Sequence, residues 1–203
     1  MPVKIIGVTG PSGSGKTLLC RFFEKRNIPV IYADELYHSM LVPPSDCLEA
    51  IRRAFGDGVF RSDGTLDRKM LGGIVFSDPG KLEVLNKTVL SYVIDEIRRI
   101  ISDYERAGHN TVIVGAPTLI ESGFNAECTA VIAVLADRET RIRRISLRDG
   151  ISPDEAQRRV SAQKDEGFYI SAADFVFRNE GDETFFERNA LSLFRKLEGL
   201  PGE

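Results

Sequence analysis

Short apolar runs punctuate the chain at 3–8, 29–32, 111–115, 130–135 and 174–177. They are rich in Val and Ile and do not alternate with polar residues, the pattern of strands buried on both faces of a parallel sheet. Between them lie longer stretches with helical spacing, at 16–25, 82–107, 138–147 and 153–163. Strand–helix alternation of this kind predicts an α/β fold with three layers around a central parallel sheet. The interval 32–111 is too long for a simple crossover. It carries turn signals at Pro43-Pro44, Ser62-Asp63-Gly64 and Asp78-Pro79-Gly80, and it reads as a helical insertion large enough to form half of a substrate site. A closing helix is expected over 182–196, followed by a frayed Gly-Leu-Pro-Gly-Glu tail.

Composition narrows the classes. The 203 residues suffice for one domain with a well-buried core. Lys+Arg 27 against Asp+Glu 30 leaves a formal charge of -3, too balanced for nucleic acid as the main partner. Cys20, Cys47 and Cys128 are odd in number, far apart and without a C-x-x-C pair. Reduced thiols in a cytoplasmic protein fit them better than a disulfide framework or a zinc site. The first apolar run is too short for a signal peptide. No apolar stretch reaches the roughly 18 residues of a membrane span, so no membrane partner is expected.

Candidate chemistry begins directly after the first predicted strand. Gly10-Pro11-Ser12-Gly13-Ser14-Gly15-Lys16-Thr17 matches G-x-x-x-x-G-K-[ST] in full, and an amphipathic segment beginning at Leu18 follows it. Glycines at these places let backbone N–H groups converge on phosphate oxygens, and the helix N-terminus adds the positive end of its dipole. Lys16 would neutralise charge on the β- and γ-phosphates, and the Thr17 hydroxyl would complete a magnesium shell. A bare strand-to-helix turn has no need for the Lys-Thr pair. The motif therefore implies nucleotide binding, with ATP and Mg2+ as the expected donor pair, and leaves the reaction open.

Asp34 follows the second run, where open α/β sheets place ligands at the carboxyl ends of strands. Two roles fit it: acceptance of a proton from an attacking hydroxyl, or the N-cap of a helix starting at Glu35. A carboxylate is a weak base for an alcohol. Phosphoryl transfer tolerates this, because positioning and charge neutralisation carry most of the demand. Arg141, Arg144 and Arg148 recur at i, i+3 and i+7 on one side of a helix, beside a stripe containing Ile142 and Ile145. Such a row serves either as a solvated basic face or as a clamp on a transferring phosphoryl group. His38 and His109 form no triad or metal spacing.

Taken together, the motifs resemble those of the dephospho-coenzyme A kinases, over about residues 4–181. Beyond the phosphate loop the resemblance rests on Thr9-Gly10, Ala33-Asp34, Phe55-Gly56 with Asp63-Gly64-Thr65-Leu66-Asp67-Arg68, Ile74-Val75-Phe76, Leu85-Asn86 and Pro117 to Gly123. It continues through Arg144, Arg148-Asp149-Gly150, Arg159, Gln163, Ala173-Asp174 and Asn179-Glu180-Gly181. It implies transfer of the ATP γ-phosphoryl group to the ribose 3′-hydroxyl of dephospho-coenzyme A, on a P-loop kinase fold. The implied core comprises 1–34, 108–136 and 172–203, the acceptor insertion 35–107 and the lid 137–171. Asp34, Lys16 and Arg144 become the catalytic residues. Pro11 to Leu18, Arg144, Arg148, Asn179 and Gly181 become ATP contacts, the last two near the adenine. Thr9, Asp34, Arg68 and Glu121 become the acceptor side. The chain also departs from the family pattern. Leu90-Ser91 replace His-Pro, Tyr32 replaces an Asp, His38 replaces an Arg, and Pro11-Ser12 stand where Gly-Ile is commoner. A kinase for another hydroxylated small molecule or nucleoside, and a P-loop ATP-binding protein with impaired turnover, stay open as alternatives. A GTPase would carry Asn-Lys-x-Asp, but the Asn86-Lys87-Thr88-Val89 stretch lacks the Asp.

Overall fold

The computed structural model describes residues 2–200. The chain begins with β1 (Lys4–Thr9), α1 (Lys16–Glu24) and β2 (Val30–Tyr32). Four helices follow: α2 (Ala33–Met40), α3 (Asp46–Phe55), α4 (Arg68–Phe76) and α5 (Pro79–Arg106). It continues through β3 (Thr111–Gly115), β4 (Ala130–Leu135), α6 (Arg138–Asp149), α7 (Pro153–Ser161), α8 (Glu166–Ile170), β5 (Phe175–Arg178) and α9 (Glu183–Glu198). Residues divide into two compact units, Met1–Ile31 with Ile101–Glu203, and Tyr32–Ile100.

The first unit is built on an all-parallel sheet of five strands in the order β2-β3-β1-β4-β5. Gly7 of β1 pairs with Val114 of β3 on one side and Val131 of β4 on the other. All six residues of β4 are buried, so both faces of the sheet are covered and the three-layer arrangement follows. The helices supply the cover. α1 buries Leu19, Cys20, Phe22 and Phe23. The Phe22 ring meets Phe186 of α9 edge-on at 6.3 Å, and Phe186 meets Phe177 of β5 at 5.4 Å. Each such aromatic pair adds about 0.5–1.5 kcal/mol to the area it buries. This chain of rings fixes the helix that follows the glycine-rich loop. α6 and α7 pack on each other through Ile145, Ala156 and Val160, with Ile142 and Ile151 at the edge. Burial pushes the Cys20 and Cys128 thiols up to about 12, which makes both poor nucleophiles.

The second unit is helical. Ser45 caps α3 by accepting from Leu48 N–H, and Asp67 caps α4 by accepting from Lys69 and Met70 N–H. An antiparallel bridge between Phe60 and Leu66 closes the turn around Asp63-Gly64. Leu48, Ile51, Val59, Leu71, Val75 and Val93 are buried.

Three expectations change. Asp78-Pro79-Gly80 is a helix start rather than a turn. Asp78 Oδ1 accepts from the N–H groups of Gly80 and Lys81, and Pro79 sits at the first helical position, where its missing N–H costs nothing. α2 begins at Ala33, not Glu35, so Tyr32 occupies the cap and Asp34 lies inside the first turn. The N-cap role for Asp34 is thereby overturned. α8 was not anticipated at all. Residues 201–203 of the expected C-terminal tail lie outside the described residues. Among the described residues no helix is long and apolar enough to cross a membrane.

Candidate active site

β1 ends at Thr9 and α1 begins at Lys16, so the glycine-rich loop spans the carboxyl end of the sheet's central strand and a helix N-terminus. Two glycines have a steric reason to be there. A Cβ on Gly10 would stand 2.1 Å from the Val134 carbonyl oxygen, which lets the loop run directly over β4. Gly15 has φ +101, and a Cβ there would fall 1.9 Å from Asn179 Nδ2.

Five consecutive carbonyls of the loop are tied back to the protein. Lys16 Nζ donates to Gly10 O at 2.6 Å and to Pro11 O at 3.1 Å. Arg141 Nε donates to Ser12 O at 3.0 Å. Arg144 Nη1 donates to Gly13 O at 3.3 Å and Ser14 O at 3.4 Å, and Asn179 Nδ2 donates to Ser14 O at 2.8 Å. A trans peptide points its C=O and N–H in opposite directions. Holding the carbonyls of Ser12 and Ser14 outward therefore turns the N–H groups of Gly13 and Gly15 the other way. Among the described residues no acceptor meets the N–H of Gly13, Gly15, Thr17 or Leu18. Ser14 Oγ is buried there without a partner as well. The loop is thus a concave set of unsatisfied donors at a helix N-terminus, the arrangement that binds anions.

The arginine row that the sequence left between a solvated face and a clamp is directed at this loop. Arg141 is only 7% exposed and Arg144 is half-buried. Burial pushes both guanidinium groups down from their usual value, yet arginine stays charged in proteins. Arg144 Nη2 also donates to Asn179 O at 3.2 Å, which joins α6 to the segment after β5. Arg148 Nη2 comes within 3.5 Å of Ser12 Oγ, while its Nε pairs with Asp149 Oδ1 at 2.7 Å. Arg159 Nη1 pairs with the other oxygen of Asp149 at 3.0 Å. These two arginines hold the Asp149 carboxyl below the usual carboxylate range.

The remaining predicted residues fall into two groups. In the first unit, Thr17 and Leu18 are exposed in the first turn of α1, and Gly181, at φ +109, precedes the Asp182 cap of α9. Thr9 is fully buried, and its hydroxyl donates to Pro117 O at 3.3 Å. Glu121 is exposed in the turn after β3. Burial and the nearby Glu121 carboxylate push the Tyr169 phenol up, against the opposing pull of Arg141. In the second unit, Asp34 is exposed on α2, and no described residue donates to its carboxylate. Arg68, the first residue of α4, brings Nη1 to 3.5 Å from His38 Nδ1. Among the described residues no three His, Cys, Asp or Glu side chains cluster as metal ligands.

Sequence reasoning gave no site role to Gln163 and left Arg141 as one member of a row. Both touch the loop, since Gln163 Oε1 accepts from Ser12 N–H at 3.0 Å and from Arg141 Nη2 at 2.6 Å. The available signal was the buried-side position of Arg141 next to Ile145 and Ile142 on α6.

Replacing Gly15 with alanine tests the cradle. The added methyl would displace Asn179 and break its bond to Ser14 O, in a backbone region that costs an L-residue about 1–2 kcal/mol. ATP affinity measured by titration calorimetry is expected to fall at least roughly tenfold. Affinity within twofold of wild type would mean that the loop adapts.

The model of the dephospho-CoA kinase family matches residues 4–184. The chain belongs to the dephospho-CoA kinase family. It is accordingly a kinase, an enzyme that transfers a phosphoryl group. A dephospho-CoA kinase of Symbiobacterium thermophilum is 38% identical over 179 residues, which cover 88% of this chain and 75% of that one. A protein of Thermus thermophilus known from its crystal structure superposes with a TM-score of 0.79 at 30% identity, over 100% of both chains. The dephospho-CoA kinase of Campylobacter jejuni shares the fold, with a TM-score of 0.70 at 23% identity over 95% of this chain and 96% of that one.

Proposed function

We propose that this family member transfers the γ-phosphoryl group of ATP to the ribose 3′-hydroxyl of dephospho-CoA, giving CoA and ADP. The observation that carries the donor half is the loop whose carbonyls from Gly10 to Ser14 are all engaged, while among the described residues the N–H groups of Gly13, Gly15, Thr17 and Leu18 stay unmatched. Such fixed donors match the oxygens of a polyphosphate and need no rearrangement when it arrives. Lys16 and Arg144 lie beside the loop, and in the transition state charge is spread over the equatorial oxygens of the transferring group and grows on the leaving oxygen. Arg148, already shared between Ser12 and Asp149, becomes available to phosphate if the anion competes with Asp149. Asn179 and Gly181, on the segment that Arg144 grips, are assigned to the adenine side.

Magnesium would be held by the Thr17 hydroxyl together with nucleotide oxygens and water. A magnesium ion bound with a nucleotide takes few of its ligands from protein, so an exposed hydroxyl in the first turn of α1 fits it without a carboxylate cluster. When bound, the ion would neutralise charge between the β- and γ-phosphates.

Asp34 is assigned as the carboxylate that orients the acceptor hydroxyl and accepts its proton. Arg68 and Glu121 are assigned to the acceptor, and Thr9 acts on that side through the Pro117 turn it supports. The guanidinium of Arg68 beside His38 supplies a positive charge next to the position where the family pattern has arginine. The protein is assigned to the cytoplasm, in keeping with its three free cysteines.

The reaction is tested by ADP release with magnesium and ATP, measured against dephospho-CoA, adenosine and other nucleosides. Turnover is expected with dephospho-CoA, and turnover at least roughly a hundredfold lower with adenosine, which lacks the diphosphate arm and the binding energy it would supply. Strong turnover on another hydroxyl with none on dephospho-CoA would overturn the acceptor assignment.

A further inference from the structure

The polar groups of Ser12 face the α6–α7 segment and not the hollow of the loop. Its N–H donates to Gln163 Oε1 at 3.0 Å, its carbonyl accepts from Arg141 Nε at 3.0 Å, and Arg148 Nη2 stands 3.5 Å from its hydroxyl. The same Gln163 oxygen accepts from Arg141 Nη2 at 2.6 Å. Ser12, Arg141 and Gln163 thus close a ring of three hydrogen bonds. Arg141 is 7% exposed, so donors that lost Gln163 would have little water to turn to.

Peptide geometry gives this ring a consequence for the site. The N–H of Ser12 and the carbonyl of Pro11 belong to one planar group, and Lys16 Nζ holds that carbonyl at 3.1 Å. The carbonyl of Ser12 and the N–H of Gly13 belong to the next planar group, which Arg141 holds. Gln163 fixes the first group directly and the second through Arg141. We propose that Gln163 is a positioning residue for the phosphate-binding loop. It keeps the Pro11 carbonyl on Lys16 and the Gly13 N–H directed into the hollow. Its side chain comes from beyond α7, so the geometry of the loop depends on the lid segment being docked. The placement rests on the nucleotide half of the proposed function and is independent of the acceptor.

Gln163→Met keeps the length of the side chain and removes the acceptor oxygen. Gln163→Glu restores an oxygen able to accept from both Ser12 N–H and Arg141. ADP binding is measured by titration calorimetry, which needs no acceptor substrate and so stands even if dephospho-CoA proves to be the wrong one. The Met variant is expected to bind ADP roughly tenfold more weakly, with the Glu variant within about threefold of wild type. In turnover, KM for ATP should rise in the Met variant while KM for the acceptor stays unchanged. Arg141→Lys, which keeps the charge but loses the forked contact, should repeat the loss of ADP affinity. A merely structural role would lower Tm without separating Met from Glu. ADP affinity within twofold of wild type in Gln163→Met, or a Glu variant as weak as the Met variant, would overturn the proposal.

Discussion

Lys16→Ala is expected to lower kcat by roughly 10²–10³, the usual cost of removing one charged or hydrogen-bonding stabiliser of a transition state. ATP affinity should fall less, because the backbone donors of the loop remain. The amine does two things at once. It bridges the Gly10 and Pro11 carbonyls, which braces the loop, and it puts a positive charge against the loop itself. In the loose transition state of phosphoryl transfer negative charge grows on the leaving oxygen between the β- and γ-phosphates, so the interaction with this positive charge strengthens there and shows in kcat. Steady-state kinetics with a parallel Tm measurement separates the two roles. A drop in Tm with kcat within threefold of wild type would make Lys16 a brace only.

For Asp34→Asn the expected result is a loss of about 10²-fold or more in kcat with the dissociation constant of ATP unchanged, as for removal of a general base. The control is clean for a structural reason. Tyr32 holds the cap position of α2, and no described residue donates to the Asp34 carboxylate, so the amide disrupts no fold contact. Tm should stay within about a degree, whereas loss of a true N-cap costs on the order of 1 kcal/mol. Unchanged turnover in this variant would remove Asp34 from the chemistry and return the base to an unassigned residue.

Much of the first unit could be read in advance, because its elements announce themselves locally. Strand β4 carries six apolar residues in a row, and only burial on both faces explains such a run. The phosphate motif combined glycines, lysine and threonine in fixed order, and each has a separate physical task. The row Arg141, Arg144 and Arg148 was visible as a helical face, but its target was not. Whether a basic face meets solvent or a backbone depends on the β1–α1 loop, more than a hundred residues away in sequence. Gln163 stood among the residues that carry the family resemblance, but a lone amide after a helix gives no local sign that it bonds to Ser12. At Asp78-Pro79-Gly80 the same residues suit a turn and a helix start, and the length of α5 decides between them. The five residues of α8 are too few to establish a period.

The loop described above, with its donors fixed before any ligand arrives, makes no distinction between a molecule about to react and one that has just done so. ADP keeps two of the three phosphates and so most of the same amide contacts. Affinity of that kind is shared by substrate and product, and it holds the nucleotide without hastening the reaction. The preference for the transition state must then come from the charged side chains beside the loop, Lys16 and Arg144. An enzyme built this way gains grip from its backbone and speed from its side chains, and it must loosen the grip to begin again.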